Sequence, residues 1–121
     1  AGFDRDPESV RVSIANREDN GIADEAVAFH HAGLEEGFRL TGRADVVLAN
    51  IISDVLCIYA DNLIDSVSPG GVLALSGILA KEQDAVRAHF EDKCREAWGE
   101  GMKSDGRIMG EWSDVALFRP L

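Results

Sequence analysis

The stretch Ala44-Asp45-Val46-Val47-Leu48-Ala49-Asn50-Ile51-Ile52 decides the fold: an unbroken apolar run that opens next to an acid and stops at an amide. A run of that length without alternation fits a strand buried on both faces, as parallel sheets flanked by helices require. In open α/β sheets the ligand lies beyond the carboxyl ends of the strands, so Asn50 is a candidate to face a substrate. The competing role for a strand-ending Asn is to shape a turn.

Working outward, Val72-Leu73-Ala74-Leu75-Ser76-Gly77-Ile78-Leu79 reads as a second buried strand, entered through a tight turn at Ser68-Pro69-Gly70-Gly71. Between the two, residues 52–66 repeat Val55, Leu56, Tyr59, Leu63 and Ile64 at helical spacing, with Ser53 or Asp54 as the cap. Lys81 to Trp98 is helical, with Ala85, Val86, Phe90, Cys94 and Ala97 along one face. Gly99 to Gly110 is glycine-rich and charged and predicts at most a short strand near Ile108 and Met109, before a closing strand from Trp112 to Phe118. Upstream, Ala1 to Phe3 ends a strand. Asp6 and Pro7 then open a helix over roughly residues 7 to 19 that stops at Asn20-Gly21. Ala26 to His31 is a further strand candidate, and Gly33 to Gly42 reads as a polar loop carrying Glu35 and Glu36 as a solvated face. Strands alternating with helices imply crossover units, hence an α/β, mostly parallel sheet, with the last two strands as an antiparallel edge.

The 121 residues fit one domain. A formal net charge of -10 disfavours direct binding of nucleic acid and would draw a cationic ligand or a basic protein, although the slightly favoured reading of such acidity is that it serves solubility alone. No apolar run is long enough for a membrane span and nothing resembles a signal peptide, which reads as cytoplasmic. Cys57 and Cys94 fall within helical patterns without metal-site spacing and are expected to be buried thiols. His30 and His31, as strand neighbours, point to opposite faces, so no metal site is expected from them.

Asp4 stands between a strand and a helix, where an acid commonly accepts hydrogen bonds from ribose hydroxyls; the alternative is that it only favours the helix start. No nucleophilic elbow and no paired acid and base stand out, so a transfer reaction that positions a reactive cofactor fits better than hydrolysis.

Gly2-Phe3-Asp4-Arg5-Asp6-Pro7, the Ala44–Ile51 run, Pro69-Gly70-Gly71, Leu75-Ser76-Gly77-Ile78-Leu79 and Gly110-Glu111-Trp112 together resemble the methyltransferase family that modifies ribosomal large-subunit protein eleven. The resemblance implies a Rossmann-like class I methyltransferase, a three-layer sandwich whose seven-stranded sheet ends in a reversed hairpin. It further implies S-adenosylmethionine as methyl donor and amines of a ribosomal protein as acceptors. It places Asp4 on the ribose, Gly33 and Leu34 beside the adenine, and Asn50 by the transferred methyl and the incoming amine, with Asp4 and Asn50 converging on one pocket. The family's first strand and glycine-rich turn would precede Ala1. The chain is therefore expected to be the carboxyl portion of a longer methyltransferase, with that strand missing, with open inner sheet edges, and with weak or no cofactor binding when alone. A non-catalytic binding or assembly module on the same scaffold is the alternative, a nicotinamide dehydrogenase remnant is less favoured, and a homodimer through the open edges is expected.

Overall fold

The computed structural model describes residues 1–121. In order they form β1 (Gly2–Asp4), α1 (Pro7–Asp19), β2 (Phe29–His31), α2 (Leu34–Thr41), β3 (Ala44–Asn50), α3 (Ser53–Ile58), α4 (Ala60–Asp65), β4 (Val67–Leu79), α5 (Gln83–Trp98), β5 (Lys103–Met109) and β6 (Trp112–Phe118). The chain divides into two compact units, Ala1–Gly42 and Arg43–Leu121.

In the first unit β1 and β2 pair in parallel, with Asp4 opposite His31. Asp6 caps α1 as expected, accepting from the Glu8 amide at 3.0 Å, and Pro7 takes the first helical position. The Phe3 ring lies edge-on to Phe38 at 5.5 Å and fills the space over Gly37, where a Cβ would come within 2.1 Å of it. The stretch read as a polar loop is helix α2. Gly33 is its N-cap, Glu35 and Glu36 sit in the first turn where the helix dipole favours them, and Gly42 at φ +64° stops it. Leu34 and Phe38, four apart, supply the inward stripe, but the glycines at both ends and at position 37 hide it in the sequence.

The second unit is a four-stranded sheet in the order β3-β4-β6-β5, with β3 and β4 parallel and the other pairings antiparallel. Parallel crossover and antiparallel closing hairpin both appear as expected. Leu73, Leu75 and Ile78 of β4 and Val115 and Leu117 of β6 form one buried face with Leu56, Leu63, Ile64, Val86 and Phe90. Burial of each such side chain contributes about 1.5–3 kcal/mol. The expectation that β3 is buried on both faces is corrected. Val46 is 58% and Leu48 77% exposed, because they lie on the face of β3 that nothing covers and only Val47 and Ala49 turn toward the covered face.

Four local readings change as well. The helix over 52–66 breaks at Tyr59 into α3 and α4, and neither Ser53 nor Asp54 is its N-cap; Ile52 is, while the Ser53 hydroxyl donates to Glu82 at 2.8 Å. The Ser68–Gly71 turn survives as an irregularity inside β4, where Ala44 pairs with Val67 and Val46 already with Val72. β5 is a full strand rather than a short one near Ile108. Its inward positions Ser104 and Gly106 are polar or small because they meet the polar side chains Arg87 and Gln83 of α5. Cys94 is buried and its thiol is pushed up to about 12 by burial, whereas Cys57 is only half-buried.

Helix α5 is tied to the hairpin by polar contacts. Gln83 Nε2 donates to the carbonyls of Arg107 at 3.0 Å and Asp114 at 3.3 Å. The Ser104 hydroxyl and, at 2.9 Å, Arg87 Nε both donate to Glu91 Oε1, and these contacts hold the Glu91 carboxyl below the usual carboxylate range. Two outcomes follow from this packing. Phe90→Ala is expected to lower unfolding stability by about 3–5 kcal/mol, read from urea midpoints at unchanged slope. The folded state binds a proton at Glu91 more weakly than the unfolded chain does. Its stabilisation is therefore complete above the unfolded carboxylate value of about 4.3 and is lost as pH falls through the lower folded value. Glu91→Gln should lower the melting temperature at neutral pH and flatten its decline toward about pH 3, and an unchanged decline would refute the assignment.

Candidate functional site

Asn50 is the last residue of β3 and pairs with Ser76 of β4. The β4–β6 ladder is regular through Leu75 and Val115, then resumes at Ile78 and Ser113, so Ser76 and Gly77 form an irregular step where β3 ends. Gly77 has φ +76°, and a Cβ there would stand 2.5 Å from Asn50 Oδ1. The Asn50 carboxamide thus lies against bare backbone, which only glycine in this conformation leaves free. The Ser76 hydroxyl donates to Asp114 Oδ1 at 2.8 Å.

On β6 the side chains alternate. Ser113, Val115 and Leu117 are buried, so Trp112, Asp114, Ala116 and Phe118 share the opposite, open face. Two adjoining concavities result. One, of about 520 Å³, is bounded by Leu48, Asn50, Ala74, Ser76, Asp114 and Phe118 among others. The other, of about 490 Å³, is bounded by Asn50, Ile51, Ile52, Ser76, Gly77 and Trp112. Asn50 and Ser76 border both. An amide able to donate and accept, a hydroxyl, a carboxylate and an indole face therefore meet at the carboxyl end of the β3–β4 pair, where α/β sheets take ligands.

In the first unit Asp4, Gly33 and Leu34 come to one rim. Asp4 ends β1, Gly33 follows β2, and the Ala32 amide donates to the Asp4 carbonyl at 3.0 Å. Asp4 Oδ1 accepts from the Asp6 amide at 2.9 Å while Asp6 itself caps the helix, so the two acids have separate tasks. Asp4 is exposed, and a Cβ on Gly33 would meet nothing within 4 Å. Asn50 belongs to the second unit. Sequence reasoning gave Ser76, Gly77, Trp112 and Asp114 no place in the site, although the first three stand in the segments that carry the family resemblance. The available signals were the polar break within the apolar run of β4 and the i, i+2 spacing of Trp112 and Asp114.

The fold is that of methyltransferases. The ribosomal protein L11 methylase of Lactobacillus delbrueckii subsp. bulgaricus superposes with a TM-score of 0.79 over 98% of this chain and 56% of its own, at 22% identity. A methyltransferase from Pyrococcus furiosus does so at 0.70, covering 98% and 61%, at 18% identity. The family model for ribosomal protein L11 methyltransferase (PrmA) matches residues 1–105. The ribosomal protein L11 methyltransferase of Citrifermentans bemidjiense is 47% identical over 118 residues, 98% of this chain and 35% of that protein. That of Pelobacter propionicus is 39% identical over 109 residues, 90% and 32%. The chain belongs to the ribosomal protein L11 methyltransferase family and spans about a third of the length of these curated relatives.

Gly77→Ala should both strain the backbone, by about 1–2 kcal/mol, and displace the Asn50 carboxamide. Chemical unfolding would read the first and the Asn50 side-chain amide resonances the second; unmoved resonances would contradict the close approach.

Proposed function

We propose that these residues serve an S-adenosylmethionine-dependent protein methyltransferase acting on amines of a ribosomal protein. The observation that carries this is Asn50, held against Gly77 at the carboxyl end of a parallel strand and bordering both concavities, in a chain of this family. The names of the relatives supply the ribosomal protein as acceptor.

The residues present suit the cofactor. Asp4, exposed and oriented by the Asp6 amide, offers a carboxylate oxygen to ribose hydroxyls. Gly33 leaves open surface beside Leu34 for the flat adenine. When bound, the cofactor supplies an electrophilic methyl on a sulfonium. Asn50 Oδ1 accepts an N–H of the incoming amine and so turns the nitrogen lone pair outward, while water takes the amine proton. A net charge of -10 favours the approach of a basic protein.

The test is methyl transfer from labelled S-adenosylmethionine to ribosomal protein L11 by the complete gene product that contains these residues. Asn50→Ala is expected to lower kcat by roughly a hundredfold, since alignment is lost. Asp4→Ala should weaken cofactor binding roughly tenfold or more, the worth of a charged hydrogen bond. Absence of transfer to any amine by the wild-type protein would overturn the reading.

A further inference from the structure

The single 3-10 turn Ala80–Glu82, which joins β4 to α5, is where bonds from separate segments of the second unit meet. The Ala80 amide donates to the Glu111 carbonyl at 2.7 Å, next to Trp112. Glu82 Oε2 accepts the Ser53 hydroxyl at 2.8 Å, just beyond Ile52. Gln83, the first residue of α5, donates to the carbonyls of Arg107 and Asp114. The walls of the concavity that runs from Asn50 and Ile52 to Trp112 are therefore fastened to the same four residues.

The Ser53 contact is the one made by side chains alone on both sides. Ser53 is 9% exposed, and its hydroxyl reaches across to a carboxylate on another element, where a charged acceptor makes the bond a strong one. Between the last pairing of β3, Asn50 with Ser76, and this anchor run only Ile51 and Ile52, in neither helix nor strand. The sheet pins the segment at one end and Glu82 pins it at the other. A Cβ on Gly77 would stand 2.5 Å from Asn50 Oδ1 and 3.4 Å from the Ile51 carbonyl, so carboxamide and segment lie against the same backbone and a shift of one displaces the other.

We propose that Glu82, acting through Ser53, is a positioning residue that sets the placement of the Asn50 carboxamide for methyl transfer, a role that rests on the methyltransferase reading above. Glu82 borders neither concavity, so its loss frees the segment without removing a contact to the reactants. Alignment then suffers while affinity survives. Glutamine keeps an oxygen that can accept the Ser53 hydroxyl, and alanine does not.

Two measurements on the complete gene product decide the matter. In steady-state methylation well below the melting temperature, Glu82→Ala and Ser53→Ala are each expected to lower kcat roughly tenfold or more, with KM for S-adenosylmethionine retained and with recovery in Glu82→Gln. The double variant should fall no further than the weaker single one, because both remove the same bond. An unchanged kcat, additive losses, a change confined to KM, or no recovery in Glu82→Gln overturns the assignment. By NMR, the Asn50 side-chain amide resonances should move in Glu82→Ala and in Ser53→Ala and stay in place in Glu82→Gln; unmoved resonances in both alanine variants overturn it. Failure of wild-type methyl transfer would remove the enzymatic reading, whereas the resonances report the coupling from Glu82 to Asn50 without any chemistry.

Discussion

Strand β4 is hydrogen-bonded on both edges, to β3 in parallel and to β6 antiparallel, and its alternate side chains Leu73 and Leu75 are buried against the helices. This two-sided pairing fixes the second unit. With the register of Asn50 to Ser76 set by β3 and that of Leu75 to Val115 set by β6, the irregular step at Ser76–Gly77 can fall in only one place. Slipping β6 by one residue would turn Val115 and Leu117 out of the core and forfeit about 1.5–3 kcal/mol for each, and slipping β3 would turn Val47 and Ala49 away from the covered face. The buried face thus positions the polar one.

The same constraint explains why the sheet carries a site on the face that its helices leave open. Asn50, Ser76 and Asp114 point away from the hydrophobic core, so their polar groups are not desolvated by it and stay accessible. Helix α5 works from the other side. Gln83 and Arg87 bond to backbone and side chain of the hairpin, and Gly106 admits them closely, with a Cβ there only 3.0 Å from either side chain. The hairpin that carries Trp112 and Asp114 is therefore braced by polar contacts as well as by the burial of Val115 and Leu117.

An open β3 edge with Val46 and Leu48 exposed is a surface that sheets ordinarily pair or cover. The sequence-based expectation of open strand edges agrees with this edge and with β1, which has β2 as its only neighbour in a two-stranded sheet. Expecting full burial of the apolar run was mistaken for a related reason: composition records what a strand can bury, and only its neighbours decide what it does bury.

Much was legible without coordinates. Asp6-Pro7 fixed the start of α1 and Asn20-Gly21 its end, because capping and backbone freedom are local properties; the apolar runs identified β3 and β4, and the position of Asn50 at a strand end followed from where the run stops. The α2 helix and the full length of β5 were not legible, since their inward positions hold glycine, serine and short apolar stripes whose meaning depends on Phe3 and Arg87 from distant parts of the chain. The amino-acid sequence by itself determined the elements, their alternation and the residue types at the strand ends. Tertiary structure alone decided that Ser76, Trp112 and Asp114 gather beside Asn50, because cross-strand register and a single irregular step are set by pairing between residues some 23 to 46 positions apart, over which local propensity has no say.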